Sequence, residues 1–142
     1  MFSQFSYPII CSDKFQETVA FYEDYFGFLP KLEAEGYVIL EREGKKDVYL
    51  AIIDYEHSAL PEAYKRPVQG MLLNYPVDSV VQFYDYAYHE GLKLLSEPKD
   101  SPCGRKHFYV EDPNGILIDV AENIEVSNGL TDEEGREIYV LS

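Results

Sequence analysis

The sequence predicts an α+β fold built from two tandem βαβββ modules. Three observations carry that prediction. A capped helical segment follows an apolar strand-like run twice along the chain. Each helix ends at a glycine and is followed by about three further strand-like runs. The two copies keep nearly the same spacing: Asp13 and Asp78 are 65 residues apart, and Gly27 and Gly91 are 64 apart, as expected of an internal structural repeat.

The elements follow in order. Phe5 to Cys11 is apolar, with an early proline, and reads as a strand. Ser12 and Asp13 offer oxygens for capping a helix N-terminus. Phe15, Val19, Tyr22 and Phe26 then recur at helical spacing, which defines one apolar face. Gly27 supplies a C-terminal stop. A short strand near Leu29 to Glu33 precedes a hairpin, Tyr37 to Glu41 and Val48 to Ile53, around the polar turn Arg42 to Lys46.

The second copy opens with Met71 to Val77. Asp78 and Ser79 repeat the capping signal, and Val80, Phe83, Tyr84, Ala87 and Tyr88 form the helical face that ends at Gly91. The Phe-Tyr pairs beginning at 21 and 83 are 62 residues apart, so they fall out of helical register between the copies. Leu92 to Leu95 resembles a strand. The final hairpin runs from Gly104 through Asp112-Pro113-Asn114-Gly115 to Val120. Proline presets the first corner of such a turn, and glycine accepts the positive φ that closes it. Module one therefore spans about residues 5–53 and module two about 70–123. Residues 54–69 form a linker, and 124–142 form a tail with a strand-like end at Ile138 to Leu141.

A chain of 142 residues forms one domain by length and buries roughly two-thirds of its unfolded surface. The formal net charge of −14 argues against nucleic acid and anionic membranes as partners, since both select for basic surfaces. The acids are spread along the whole chain, so the charge also has a plain reading as solubility. No stretch has the length of a membrane span. Met1 to Phe5 lacks the basic start of a secretory signal, and two cysteines make no disulfide framework. Together these lead to the expectation of a cytoplasmic protein. Cys103 lies close to Arg105 and Lys106, which favours a thiolate, but no histidine stands at a spacing that makes it a nucleophile.

Two segments resemble the vicinal oxygen chelate superfamily, which includes glyoxalase I, bleomycin-resistance proteins and extradiol dioxygenases. The first runs from Cys11-Ser12-Asp13 to Phe21-Tyr22-Glu23-Asp24-Tyr25-Phe26-Gly27-Phe28, and the second from Gly104-Arg105 through Asp112-Pro113-Asn114-Gly115 to Asp119. The resemblance covers about residues 5–123. It implies curved mixed sheets around a ligand cleft, and homodimers for two-module chains of this length. In many members it also implies a divalent metal held by His, Glu or Gln from four strands.

Carried onto this sequence, the family's four ligand positions fall on Tyr7, Leu50, Leu72 and Asp119. Leucine has no lone pair, neutral tyrosine is a poor ligand, and a single carboxylate does not fill a coordination shell. Sliding by one residue reaches Ser6, Pro8, Tyr49, Ala51, Met71 and Leu73, which do not complete a site either. The expectation is no metal and no cofactor. By alternation, Ile9 accompanies Tyr7, Asn74 accompanies Leu72, Leu117 and Ala121 accompany Asp119, and Val48 and Ile52 accompany Leu50.

The cleft is thus predicted to be an apolar pocket with a few polar groups, as small-molecule sites generally are. Its expected occupant is a small hydrophobic or aromatic molecule, cationic ones included, bound as in bleomycin-resistance proteins. Two enzymatic alternatives stand beside this reading. One is a metal-dependent glyoxalase-type lyase or dioxygenase, which the ligand count opposes. The other is a metal-independent enzyme using Asp119 or His107 for proton transfer. Asp119 also has a structural reading, as a carboxylate satisfied by Arg105, Lys106 or backbone donors. His57 and His89 have only structural or surface readings.

Overall fold

The computed structural model describes residues 5–101, 105–122, 129–131 and 133–139. The chain divides into two compact units, Met1–Leu72 with Glu111–Leu117, and Leu73–Val110 with Ile118–Ser142.

In the first unit the order is β1 (Ile9–Ser12), α1 (Phe15–Tyr25), β2 (Phe28–Ala34), β3 (Tyr37–Arg42) and β4 (Tyr49–Asp54), with a 3-10 turn at Glu62–Tyr64. The sheet order is β1-β4-β3-β2. β1 runs parallel to β4, and the other pairs are antiparallel. β1 is shorter than the apolar run from Phe5 suggests. Its ladder with β4 starts only at Ile9, opposite Ala51, after the donor lost at Pro8.

One face of this sheet is covered by α1. Phe28 and Pro30 share that face with Leu40, Leu50, Ile52 and Ile10 by pairing and alternation. The Tyr22 ring packs on Phe28 with centroids 6.0 Å apart. The buried helix residues are Thr18, Phe21 and Tyr22. Periodicity in apolar residues identifies Tyr22 but passes over Thr18, a polar residue whose hydroxyl bonds Ser12 Oγ at 3.1 Å. The capping expectation also shifts by one step. Lys14 occupies the N-cap position without a side-chain bond, and Ser12 Oγ instead accepts from the Lys14 backbone N–H at 2.9 Å.

The Asp112-Pro113-Asn114-Gly115 turn packs into the same unit. Gly115 has φ of 81°, and its N–H donates to the Asp112 carbonyl at 3.2 Å. Asp112 is only 5% exposed, yet it is fully engaged. Its carboxylate accepts from the Asn114 N–H at 2.7 Å, the Ile116 N–H at 2.8 Å, the Asn114 side-chain amide at 3.2 Å and the Tyr22 hydroxyl at 2.8 Å. The Asn114 amide also donates to Thr18 Oγ1 at 3.0 Å, and its carbonyl accepts from Ser12 Oγ at 2.6 Å. The turn motif and the start of the first helix are therefore one buried polar network.

In the second unit the order is β5 (Leu72–Val77), α2 (Val80–His89), β6 (Lys93–Leu94), β7 (Lys99–Asp100), β8 (Lys106–Glu111) and β9 (Leu117–Glu122). Its sheet order is β5-β9-β8-β6, with β7 pairing β8. This repeats the β1-β4-β3-β2 order, with β7 as an added fifth strand. The α2 cap matches the sequence: Ser79 accepts from the Gln82 N–H at 3.2 Å. A Glu122 carboxylate oxygen accepts from the Val80 N–H at 3.1 Å, where a carboxylate also suits the positive end of the helix dipole. α2 covers the face that carries Phe108, through Phe83 and Tyr84. Ala87 and Val80 are buried, whereas Tyr88 is exposed. The tail forms a short antiparallel hairpin, β10 (Gly129–Thr131) with β11 (Glu137–Tyr139). Leu141 and Cys103 lie outside the described residues.

Replacing Tyr22 by phenylalanine removes one donor from a buried carboxylate. The expected loss is about 1–3 kcal/mol of unfolding free energy, measured by urea denaturation. An unchanged midpoint would show that the network does not hold the turn.

Candidate functional site

Each sheet has one face turned away from its own helix, and the candidate residues gather on these two faces. On the first sheet that face carries Ile9, Ile39, Tyr49 and Ala51, since Ile9 pairs with Ala51 and Ile39 pairs with Ala51. Tyr7 and Tyr37 pack against Ile39, Tyr49 and Ala51. The Tyr7 and Tyr49 rings meet edge-on at 6.2 Å, and Phe5 lies 6.0 Å from Tyr49. Ile9 remains 49% exposed.

This register corrects one expectation. Leu50 was placed beside Tyr7 and Ile9, together with Val48 and Ile52. Leu50 pairs instead with Leu40, on the face covered by α1, and is 3% exposed. The residues of β4 that stand with Ile9 are Tyr49 and Ala51. A one-residue offset between β1 and β4 reverses every side chain of the strand, and the length of the hairpin turn gave no warning of it.

Burial pushes the Tyr37 hydroxyl up to about 12, and its hydrogen bond with Tyr7 adds to the shift. The Tyr49 hydroxyl is raised as well, by desolvation first and then by its bond to Glu41. This face therefore presents neutral phenols and aliphatic carbons.

On the second sheet, Tyr75 packs on Phe83 of α2, so alternation turns Leu72 and Asn74 to the opposite, open face. Both are exposed, Leu72 by 61%. Phe108 faces α2, which turns His107 and Tyr109 to the open side, where their rings meet edge-on at 5.2 Å. Asp119 lies there too, with Leu117 two residues before it on the same strand face. His107 Nδ1 is 2.9 Å from Asp119 Oδ1, and Arg105 Nη2 is 3.4 Å from Oδ2.

The Asp119 carboxylate accepts, so His107 donates to it from Nδ1, an acid-oriented imidazole as general acid–base chemistry uses. Asp119 is also already countered by Arg105. The structural reading of Asp119 is thus realised through Arg105 and His107, and Lys106 pairs instead with Asp100 at 3.8 Å. A carboxylate engaged on both oxygens gives a cationic ligand little to bind.

The other histidines are accounted for. His57 Nδ1 accepts from the Ala59 N–H at 3.0 Å, and its ring closes on Gly36, where an added Cβ would stand 3.2 Å from it. It borders a groove of about 900 Å³ beside the start of α1, shared with Lys14, Glu17, Glu35, Asp54 and Glu56. That groove is broad and acidic, unlike the largely apolar lining of a typical small-molecule site. His89 bonds the Asp85 carbonyl at 2.8 Å on the exposed surface of α2.

No three His, Cys, Asp or Glu side chains among the described residues converge as a metal site. The family's ligand strands offer tyrosine, isoleucine and alanine on the first sheet. On the second they offer leucine, asparagine and an Asp119 already bonded to His107 and Arg105. These donors do not fit a divalent ion. The signal for His107 was faint in the sequence, because its partner is 12 residues away, across the hairpin.

The strand order and helix placement of both sheets define a paired βαβββ fold. The sequence model of the Glyoxalase/Bleomycin resistance protein/Dioxygenase superfamily matches residues 4–120, and the chain belongs to that superfamily. Solved structures share the fold. A lactoylglutathione lyase from Agrobacterium tumefaciens is 20% identical, with 85% of this chain and 94% of that one covered and a TM-score of 0.70. A bleomycin resistance determinant encoded on the transposon Tn5 is 24% identical, with 84% and 98% covered and a TM-score of 0.62. A virulence protein from Salmonella typhimurium is 18% identical, with 85% and 97% covered and a TM-score of 0.68. No curated protein sequence matches significantly. Among the described residues, no helix is long and apolar enough to cross a membrane.

The raised Tyr37 hydroxyl sets an alkaline limit. Its ordinary value is 10.0 and its folded value about 12, so the unfolded chain ionises first. The stabilisation is complete below pH 10 and is lost as pH rises toward about 12. Thermal melts across that window are expected to fall more steeply for the native protein than for Tyr37→Phe. Parallel curves would remove Tyr37 from the transition.

Proposed function

We propose that this protein binds a small, largely aromatic or hydrophobic molecule without a metal. The supporting observation is the face of the first sheet turned from α1, where Tyr7 and Tyr37 pack on the buried Ile39, Tyr49 and Ala51 and Ile9 is left exposed. Aromatic rings in offset or edge contact add about 0.5–1.5 kcal/mol per pair beyond burial. Neutral phenols also supply directional hydrogen bonds at little desolvation cost. The fold is shared with a protein named as a bleomycin resistance determinant, and sequestration of a small molecule by binding is the role proposed for this chain.

The lyase reading is weaker. The lactoylglutathione lyase likeness rests on 20% identity, and the donor set here does not fit the metal expected in that branch of the family. The proposed assembly is a homodimer, which predicts twice the 16.4 kDa chain mass in light scattering; a monomer mass would remove it.

The chain has 13 tyrosines and no tryptophan, so its emission is tyrosine emission, and the part lost in Tyr7→Phe, Tyr37→Phe and Tyr49→Phe is the part that reports on this face. A panel of planar aromatic compounds is expected to include ligands that quench this emission saturably. Tyr7→Ala should weaken them about three- to ten-fold, in line with the loss of one aromatic pair. Linear, unsaturable quenching across the whole panel would overturn the proposal. A stoichiometric nickel, zinc, iron or manganese ion in the purified protein would favour the metal-dependent reading instead.

A further inference from the structure

We infer that Glu41, on the face of the first sheet turned from α1, anchors a protonated amine carried by the bound molecule, which makes the ligand an aromatic amine. This inference rests on the binding function proposed above and specifies the ligand's chemical class. Every residue it uses lies in the first compact unit.

Three observations carry it. First, strand pairing puts Glu41 on the tyrosine face. It stands opposite Tyr49 on β4 and opposite Leu29 on β2, and Ile39, two residues before it on β3, belongs to the same face. Leu29 is 51% exposed, and Leu32, opposite Ile39, is 42% exposed. The carboxylate therefore stands within an accessible apolar surface, where a charge is costly unless it is well paired. Second, that pairing is loose. The Tyr49 hydroxyl donates to Glu41. The counter-ion it has among the described residues, Lys31 Nζ, is 3.6 Å from Oε1, on a side chain 45% exposed, which is too long for a hydrogen bond. β2 shifts register between Pro30 and Leu32, so no ladder partner fixes Lys31, and exposed pairs of this kind contribute little. Third, the surroundings favour a cation over an anion. Asp47 adds negative charge near Tyr49, tyrosine rings such as Tyr7 and Tyr49 attract cations through their π faces, and the chain's net charge is −14.

An ammonium group is all donor, and a carboxylate with two oxygens has lone pairs left after one phenol has donated to it. A ligand amine therefore makes the close, charge-assisted contact that Lys31 does not make, and Lys31 turns outward to solvent. The ligand's ring lies along Leu29 and Tyr49, which flank Glu41 across the sheet. Between binding events the Tyr49 hydroxyl holds the carboxylate in position.

The experiment compares benzylamine with benzyl alcohol, two probes of nearly equal shape that differ in charge, by calorimetric titration at neutral pH and low ionic strength. Benzylamine is expected to bind at least about ten-fold more tightly, as an added charge-assisted contact provides. Glu41→Gln should bring the two affinities together. Glu41→Asp, which keeps the charge on a shorter stem, should retain only part of the preference and guards against a Gln variant that fails to fold. Glu62→Gln, which removes an equal charge from an exposed side chain outside this face, should leave the preference intact and separates the local contact from the general negative field. Equal binding of the two probes to the native protein would overturn the amine anchor and leave the aromatic-binding function standing. A preference that survives Glu41→Gln, or one lost equally in Glu62→Gln, would overturn the assignment to Glu41. Binding of neither probe would overturn both.

Discussion

The first unit depends on one buried carboxylate. Asp112 sits at the opening of a proline-containing turn, nearly without solvent, and accepts four hydrogen bonds. An ionised group in such a place is costly unless every lone pair is used. Here two donors come from the backbone of the turn, a third from Asn114, and the fourth from a tyrosine on α1. Burial raises the Tyr22 hydroxyl far above its usual range, and the neighbouring carboxylate raises it further. The phenol therefore remains a donor under all ordinary conditions. The turn is covalently continuous with β8 and β9, yet its packing belongs with β1 and α1. A segment that looks like a local hairpin connection thus has long-range partners.

The duplication shows what pairing order can and cannot do. Both sheets use the same strand order, with the first strand beside the fourth and the second strand at the far edge. Each buries one face under its helix and leaves the other to fill differently. On the first sheet the open face is largely aromatic and aliphatic. On the second it carries an acid, an imidazole and a guanidinium. The same strand order carries unlike chemistry because it fixes which side chains share a face and not what those side chains are. The fold alone does not name the function.

The two faces differ in how far they were legible. Tyr7, Ile9, Leu72, Asn74 and Asp119 follow from alternation counted within single strands, and each lies on the face turned from its helix. Leu50 does not, because its placement relative to Tyr7 depends on the register between β1 and β4. Register is a property of two strands together. Tyr49 and Tyr37 are missed by the same counting, since each stands beside Ile9 or Tyr7 only through a neighbour on another strand, whereas Arg105 is among the partners expected for Asp119. Asp119, His107 and Arg105 each stand out in the sequence, but the direct bond between His107 and Asp119, at a spacing of 12 residues, matches no helical or single-strand periodicity.

By itself, the sequence determined the elements: two helices with their glycine stops, the Ser79 cap of the second, the repeated strand pattern and the tight turn at Pro113. All of these are local, set by backbone sterics, hydrogen-bonding side chains a few residues away and hydrophobic period. Tertiary structure decided which face each strand offers, which hydroxyl satisfies Asp112, and which donors surround Asp119. Those outcomes depend on pairings between residues far apart in the chain. They are selected by the requirement that every buried polar group find a partner at the same time as the apolar faces close.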